Sequence, residues 1–182
     1  MTIQMTITEA LAEVKLINEK IEKKRTFVLD NLTRIKQLAD PLQSKGGSMA
    51  ALAAEMQSIN DLEARLVEIR AAIMHANMMH TAECMGMHKT LYGWLVWKRE
   101  IAGNKSFHYQ SIYTNTKKKI DEAARAPSVY TKDDQTKEVV IIEANLPYME
   151  YAAKYEDIKD MLNKLDGVLS LKNATVLVEL NS

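Results

Sequence analysis

Apolar residues recur at seven-residue intervals along the first part of the chain. One β-branched row runs without interruption: Ile7, Val14, Ile21, Val28 and Ile35. Leu11 and Leu32 each follow a member of this row by four residues. β-Branched residues at the a positions of a heptad and Leu at the d positions are typical of a helix that packs lengthwise against another helix. The pattern therefore predicts a heptad seam on one long helix.

Local signals predict where this helix begins and ends. Thr6 and Glu9 match a capping box, in which the side chain of each residue accepts a hydrogen bond from the backbone of the other. Asp40-Pro41 ends the pattern, because the residue before a proline disfavours the helical conformation. A helix from about Ile7 to Ala39 is roughly 50 Å long at 1.5 Å per residue. Such a helix is too long to be buried inside a compact chain of 182 residues.

Two polar residues interrupt the Leu row of the seam. Asn18 and Arg25 stand where Leu is expected. Either the seam faces another part of the same chain and these side chains reach solvent, or they set the register or contact a partner, as buried polar groups do in coiled coils. Both residues are therefore candidate interface residues.

A second heptad pattern follows a polar, glycine-containing connection at residues 42–48. It has two rows: Leu52, Ile59, Leu66 and Ile73, joined by Met56, Leu62, Ile69 and Ala76. Two long helices joined by a short loop pack antiparallel. Residues 6–77 are thus predicted to form a helical hairpin.

The rest of the chain alternates between short strands and helices. Residues 78–90, with Gly86 at the centre, predict a β-hairpin, and 90–125 predict a helix that starts at Thr90 and bends near Gly103-Asn104. Residues 128–143 predict a second hairpin, and 146–180 a helix followed by a strand. The expected fold is a single domain, mainly α (α+β): a long antiparallel helical hairpin or four-helix bundle with short β-hairpins and a C-terminal strand.

A similar spacing appears in the two halves of the chain. One set of residues matches another: Leu66, Ile69, Ile73 and Asn77 against Leu162, Leu165, Leu169 and Asn173. A strand-like stretch follows each set, as in two helix–helix–strand repeats. Convergent helix endings explain the same spacing, so both a duplication and a coincidence remain open.

Charge and cysteine content exclude several classes of protein. Lys and Arg total 24, as do Asp and Glu, so the net charge gives no reason to expect nucleic acid or anionic lipid. Cys84 is the only cysteine, which excludes an internal disulfide and favours a reducing compartment. The sequence has neither the roughly 18 apolar residues of a membrane span nor a signal peptide. We expect a protein that is cytoplasmic when synthesised, with the virion as a later location.

The segment from Met74 to His88 concentrates soft metal ligands. His80, Cys84 and His88 are candidate ligands for zinc or copper(I), because imidazole and thiolate suit both ions. Their spacing matches no closed zinc pattern, so no metal or other cofactor is predicted. A methionine-rich contact surface that includes Met78 and Met79 is the favoured interpretation.

Trp94 and Trp97 lie three residues apart, on one face of the predicted third helix. They either anchor the core or form an interface hot spot, since Trp is enriched in both places. Two basic runs, at residues 20–25 and 117–119, are interleaved with acids or followed by them. Solvated helix faces explain these runs better than phosphate binding does.

The order of elements resembles that of a group of small helical proteins from bacteria and their phages, including those labelled septicolysin-like. A few short matches support the resemblance: Thr-Glu-Ala-Leu at 8–11, Asn77, Gly86, Thr90, Trp97–Glu100, Leu165-Asp166 and Asn173. The label implies a toxin, but the chain lacks the amphipathic strand pairs and the long apolar helix of a pore former. No functional residue is carried over from the group.

Known enzyme signatures are absent from the sequence: no phosphate-binding glycine loop, no nucleophile elbow and no His-Glu-x-x-His. The sequence predicts a non-enzymatic structural protein that assembles through helical packing, such as a capsid-associated, connector or tail-region component of a bacteriophage virion. Expected partners are further copies of the chain or other virion proteins, not membrane or nucleic acid. The alternatives are a phage or bacterial regulatory protein-binding module and a soft-metal-binding protein.

Overall fold

The computed structural model describes four ranges of the chain: residues 2–125, 128–130, 137–139 and 142–181. Helices dominate this part, and the strands form small two-stranded sheets, which confirms the prediction of a mainly α fold. The chain divides into two compact units: Met1–Ala82 with Leu169–Ser182, and Glu83–Val168.

The first unit opens with strand β1, Thr2–Thr6, and helix α1, Ile7–Asp30. The predicted capping box is present at the start of α1. The Thr6 hydroxyl accepts a hydrogen bond from the backbone N–H of Glu9 at 3.2 Å, and the Glu9 carboxylate accepts one from the backbone N–H of Thr6 at 2.7 Å. The hydrogen bonds that the Glu9 carboxylate accepts from the Thr6 backbone N–H and from the Thr6 hydroxyl, the latter at 2.8 Å, lower the pKa of Glu9.

Helix α1 is shorter than the sequence pattern predicts. It ends at Asp30, so the prediction that it reaches Ala39 was wrong. Asn31 explains the end, because its side-chain Nδ2 donates to the carbonyl of Phe27 at 2.8 Å. That carbonyl is the acceptor that the backbone N–H of Asn31 would use in a continuing helix, and Asn competes with the backbone in this way. Ile35 therefore lies outside the helix.

The buried face of α1 matches one of the two predicted rows. The a row is buried over its first three members: Ile7, Val14 and Ile21. The second row lies three residues after the first instead of four, since Ala10 and Ile17 are buried and Leu11 is 40% exposed. The Leu row was therefore the wrong companion row. Ala10 occupies the true d position but is too small and too common in helices to mark it in the sequence.

Helix α2, Ser48–Met79, lies antiparallel beside α1. Lys24, late in α1, pairs with Glu55, early in α2, at 2.6 Å. Glu13, earlier in α1, pairs with Arg65, near the middle of α2, at 3.3 Å. Several members of the predicted rows are buried in α2: Ile59, Ile69, Ile73 and Ala76. We call α1 and α2 together the arm.

The first and last strands of the chain pair in a two-stranded sheet, and only the last of them was predicted from the sequence. Strand β6, Leu177–Asn181, agrees with the predicted C-terminal strand and pairs antiparallel with β1, which was not predicted. Thr6 lies opposite Leu177 in this pairing. Val178 and Leu180 are buried, and β6 lies beside α2, so the sheet closes one end of the arm.

A short hairpin follows α2. Its strands are β2, Thr81–Cys84, and β3, Met87–Thr90, and they pair with each other. The two connecting residues, Met85 and Gly86, both have positive φ angles, of 50° and 76°. This is the turn that matches the twist of two antiparallel strands, and glycine adopts it without strain. The predicted hairpin is thus present, but it begins after Met79, where α2 ends.

The second unit continues with an uninterrupted run of helical turns. Three segments follow one another: α3, Leu91–Val96; a π-helical turn, Trp97–Ala102; and α4, Gly103–Arg125. Thr90 caps the start as predicted, since its hydroxyl accepts from the backbone N–H of Gly93 at 3.0 Å. The irregularity predicted near Gly103-Asn104 lies instead in the turn before it.

The remaining elements are two short strands and one long helix. Strand β4, Ser128–Tyr130, pairs antiparallel with β5, Lys137–Val139, but the turn predicted between them lies outside the described residues. Helix α5, Tyr148–Thr175, follows Pro147. Three of its apolar residues are buried: Ile158, Leu165 and Leu169.

Candidate interaction surfaces

The outer end of the arm, residues 29–49, is here called the arm tip. Four large apolar side chains on it are at least 60% exposed: Leu29, Leu32, Ile35 and Leu38. Met49, on the first turn of α2, is 89% exposed. The sequence analysis placed Leu32 and Ile35 in the buried seam, which was wrong because α1 ends before them. Large apolar side chains grouped on a surface are typical of protein interaction sites.

Asp40 holds the arm tip in place at the start of α2. Its carboxylate accepts hydrogen bonds from the Ser48 hydroxyl at 2.5 Å and from the backbone N–H groups of Ser48 and Leu42, each at 2.9 Å. The side-chain hydrogen bond from Ser48, together with these backbone bonds, lowers the pKa of Asp40 to about 2. The carboxylate also suits the positive end of the helix dipole at the start of α2. The tip therefore has a defined conformation although residues 31–39 are not helical.

A groove of about 370 Å³ lies between α1 and α2, next to the arm tip. Its apolar lining comes from four residues: Val28, Leu29, Met56 and Ile59. Arg25, Asn60 and Glu63 line it as well, and Arg25 donates to Glu63 at 2.8 Å. An apolar groove with a polar edge accepts aliphatic side chains from another surface.

The polar residues of the predicted Leu row bond within the chain. Asn18 is exposed, and its Nδ2 donates to the carbonyl of Val14 at 3.0 Å. Arg25 is also exposed, and its hydrogen bonds to Glu22 and Glu63 raise its pKa. Both side chains lie off the buried face because the true second row is shifted by one residue. This agrees with the interpretation that the seam faces the same chain, and their role in an interface stays a prediction.

Methionines are exposed at the other end of α2. Met74, Met78 and Met79 are each more than half exposed. Met79 also lines a cavity of about 810 Å³, together with His75 and His80. The predicted methionine-rich contact surface thus has the exposure it requires, and its use by a partner stays a prediction.

The three candidate metal ligands do not form a metal site. Cys84 is buried, and its Sγ lies 3.9 Å from the carbonyl oxygen of Met161, to which it donates. His80 is exposed, and the Nε2 of the exposed His88 lies 3.3 Å from the carboxylate of Glu83. Among the described residues, no three His, Cys, Asp or Glu side chains converge as a metal requires.

The structure separates the roles of the two tryptophans. Trp94 is fully buried, and Trp97 is half-buried with its ring edge-on to Trp94, at 5.7 Å between centroids. Trp94 therefore presents no surface to a partner and matches the core-anchor interpretation instead. Lys98, on the following turn, forms an ion pair with Asp166 of α5.

The basic runs are paired with acids on helix surfaces. Lys24 pairs with Glu55, as described above, and Lys117 pairs with Asp121 at 2.8 Å, one helical turn away. The Asp121 hydrogen bond raises the pKa of Lys117. Lys118 lies 3.7 Å from Glu122. This arrangement is that of solvated helix faces.

The sequence pattern did not predict that Leu29, Leu38 and Asp40 belong to an interaction surface. Leu29 and Leu38 belong to no seven-residue row, although Leu29, Leu32, Ile35 and Leu38 follow one another at intervals of three. That spacing is the one signal that marks an apolar group here. Asp40 carried no signal, because its main partner, Ser48, lies eight residues further on.

Comparisons with protein-family models, with curated proteins and with solved structures give no match for this chain. None of the helices in the described ranges combines the length and the apolar character needed to cross a bilayer. The surfaces of the chain itself are therefore the starting point for a functional proposal. Of those described above, the arm tip has the larger group of exposed large apolar side chains.

Proposed function

We propose that this chain is a non-enzymatic structural protein that works by packing its helical arm against protein partners in a larger assembly. The observation that supports the proposal most is the arm tip, where Leu29, Leu32, Ile35 and Leu38 are each at least 60% exposed. Removing apolar side chains from water is the main driving force of protein association. A surface of this kind gains free energy when another protein covers it.

The proposal includes a finer description of the fold and of the assembly. The arm acts as an antiparallel helical hairpin within a four-helix bundle. The assembly is a bacteriophage virion, in which the chain is a capsid-associated, connector or tail-region component. The resemblance to helical phage and bacterial proteins supports this choice of assembly, and the chain's zero net charge lowers the electrostatic cost of bringing copies together.

Light scattering after size-exclusion chromatography tests the proposal on the full chain, over about a hundredfold range of concentration. A structural assembly protein gives a mass that is a multiple of 20.6 kDa. Mass spectrometry of purified virions from the same source should also detect its peptides. A mass of 20.6 kDa at every concentration, with no peptides in virions, contradicts the proposal. It favours instead the alternative of a regulatory module that binds one partner.

A further inference from the structure

We propose that the outer edge of strand β6 binds an extended, basic peptide segment of another protein, which adds a third strand to the β1–β6 sheet. The inference goes beyond the proposed function, because it concerns a different surface and a different kind of contact. It is supported by the backbone pattern of β6, by a groove between β6 and α2, and by an acidic side chain on that groove.

The backbone of β6 has hydrogen-bonding groups on its outer side that β1 does not use. The backbone N–H of Ile7 donates to the carbonyl of Val176 at 3.0 Å, so Val176 faces β1. Because successive residues of an antiparallel ladder turn these groups alternately toward the paired strand and away from it, Leu177 and Glu179 direct theirs outward. The N–H of Thr6, which lies opposite Leu177, agrees with this pattern, since it donates into the cap of α1 and not to β6. Among the residues that the structure describes, no hydrogen bond reaches the outward groups of β6.

A groove runs along this edge, and α2 lines its other side. Two neighbouring cavities form it, of about 810 and about 260 Å³, and both are lined by Ala72 of α2 and Glu179 of β6. Four α2 residues line it at the spacing of one helical face: Glu68, Ala72, His75 and Met79. From Glu68 to Met79 this face is about 17 Å long at 1.5 Å per residue, which equals about five residues of strand. The groove therefore suits a strand about as long as β6.

An extended peptide backbone is the ligand that such an edge recognises. Open N–H and C=O groups on an edge strand pair with a further strand, and pockets beside the edge select its alternate side chains. One set of alternate residues in the added strand shares the face of the buried Val178. We expect these residues to be apolar, because α2 presents Ala72 and Met79 to the groove.

Glu179 favours a basic residue in the other set. Its carboxylate accepts a hydrogen bond from the neutral side chain of Gln4 at 3.0 Å, and none of the ion pairs within the described ranges includes it. Glu68, the other acid of the groove, shares Arg65 with Glu13. A Lys or Arg opposite Glu179 forms a cross-strand charge pair, which stabilises a sheet. A second copy docked through β6 would instead bring the acids of two grooves together, so a basic segment of another protein is the better fit.

Calorimetric titration of the full chain with synthetic peptides tests the inference. The first peptide is acetyl-Val-Thr-Val-Lys-Val-Thr-Val-amide, and in the second Glu replaces Lys. We expect the Lys peptide to bind about tenfold more tightly, because Glu in its place would face Glu179.

N-methylated versions of the Lys peptide test whether it binds as a strand. Methylation of the Lys amide should weaken binding about tenfold or more, because it removes a hydrogen bond to β6. Methylation of the preceding Val amide, which points away from β6, should change the affinity about twofold or less. Hydrogen exchange followed by NMR should show slower exchange of the Leu177 and Glu179 amides when the Lys peptide is bound.

Variants of the chain provide the matching test on the protein side. Glu179→Lys should reverse the preference, so that the Glu peptide binds about tenfold better than the Lys peptide. Glu19→Lys makes the same change at an exposed residue of α1 that does not line the groove, and should leave both affinities within about twofold. Leu177→Pro removes one outward N–H, at a position where an edge strand tolerates proline, and should weaken the Lys peptide about threefold to tenfold.

The outcomes separate the inference from the proposed function. No binding of the Lys peptide, equal affinity for the two peptides, or an equal loss from both methylations overturns the inference, and these measurements use the wild-type chain. Self-association that Leu177→Pro abolishes also overturns it, because a second copy then occupies the edge. None of these results concerns the arm tip, so the proposed function is decided separately by mass and by virion content.

Discussion

Asp40 joins the middle of the arm tip to the start of α2 through three hydrogen bonds, from the Ser48 hydroxyl and from the backbone of Ser48 and Leu42. Its pKa of about 2 lies below the ordinary value of 3.8 because these bonds stabilise the ionised carboxylate. A depressed pKa in the folded state contributes stability above the ordinary pKa. That contribution is lost as the pH falls through the folded value.

We therefore expect Asp40→Asn to lower the stability of the first unit at neutral pH and to remove part of its acid sensitivity. Urea unfolding midpoints of the wild type and the variant, measured from neutral pH down to about 2, should converge as the pH falls from about 3.8 to about 2. Other carboxylates titrate in both proteins, so the difference between the curves isolates Asp40. Curves that stay parallel over this range would show that Asp40 does not hold the tip.

Trp94 and Trp97 provide a test of burial in the second unit. Trp94 is fully buried and Trp97 is half-buried, although the sequence places both on one helical face. We expect Trp94→Ala to lower the free energy of unfolding by about 3–5 kcal/mol, because it leaves a large cavity. Trp97→Ala is the matched control and should cost clearly less. Equal losses in chemical denaturation would contradict the assignment of Trp94 to the core.

At the scale of the helix, the second row of α1 is the part that the structure corrects. Ile17, on the row three residues after the a positions, is 4% exposed, whereas Leu11, on the row four residues after, is 40% exposed. We expect Ile17→Ala to cost about 2–5 kcal/mol of unfolding free energy, and Leu11→Ala to cost about 1 kcal/mol or less. Denaturant titration of the two variants measures both values. A larger loss of unfolding free energy for Leu11→Ala than for Ile17→Ala would instead show that the Leu row is the buried one.

The sequence predicted elements whose signals are local. Ile7, Val14 and Ile21 marked the buried face of α1 because β-branched residues at seven-residue spacing leave few alternatives. The Thr6–Glu9 cap was equally local. Strand β1 was missed because it pairs with β6, whose residues lie about 170 positions away: Thr6 is opposite Leu177. Alternation of polar and apolar residues over five positions is a weak signal without knowledge of the partner strand.

The arm tip was beyond sequence reasoning for a related reason. Whether Leu32 and Ile35 are covered depends on where α2 begins relative to α1, which is a property of the packed pair. Tertiary packing also decided the outcome for the three candidate metal ligands. His80, Cys84 and His88 are close in sequence, but Cys84 is buried against Met161, far along the chain, while both histidines are exposed. Closeness in the sequence therefore did not bring these three side chains together as metal ligands.

At the scale of the whole molecule, the exposed arm tip and the zero net charge both favour association with other proteins. Burial of the exposed apolar side chains of the tip against another protein favours association, and the chain carries no net charge to oppose it. Assembly is therefore expected to respond to protein concentration and to any substitution that places a charge on the exposed apolar side chains of the tip.

Hydrogen exchange of the backbone amides, followed by mass spectrometry as the protein concentration rises, tests the central claim most directly. If the arm tip packs against partners in the assembly, exchange in residues 31–39 slows as the protein associates, because the partner covers these amides. Exchange on the exposed face of α2 around Val67 serves as the internal control and stays constant. Association without any slowing in residues 31–39 would contradict the account.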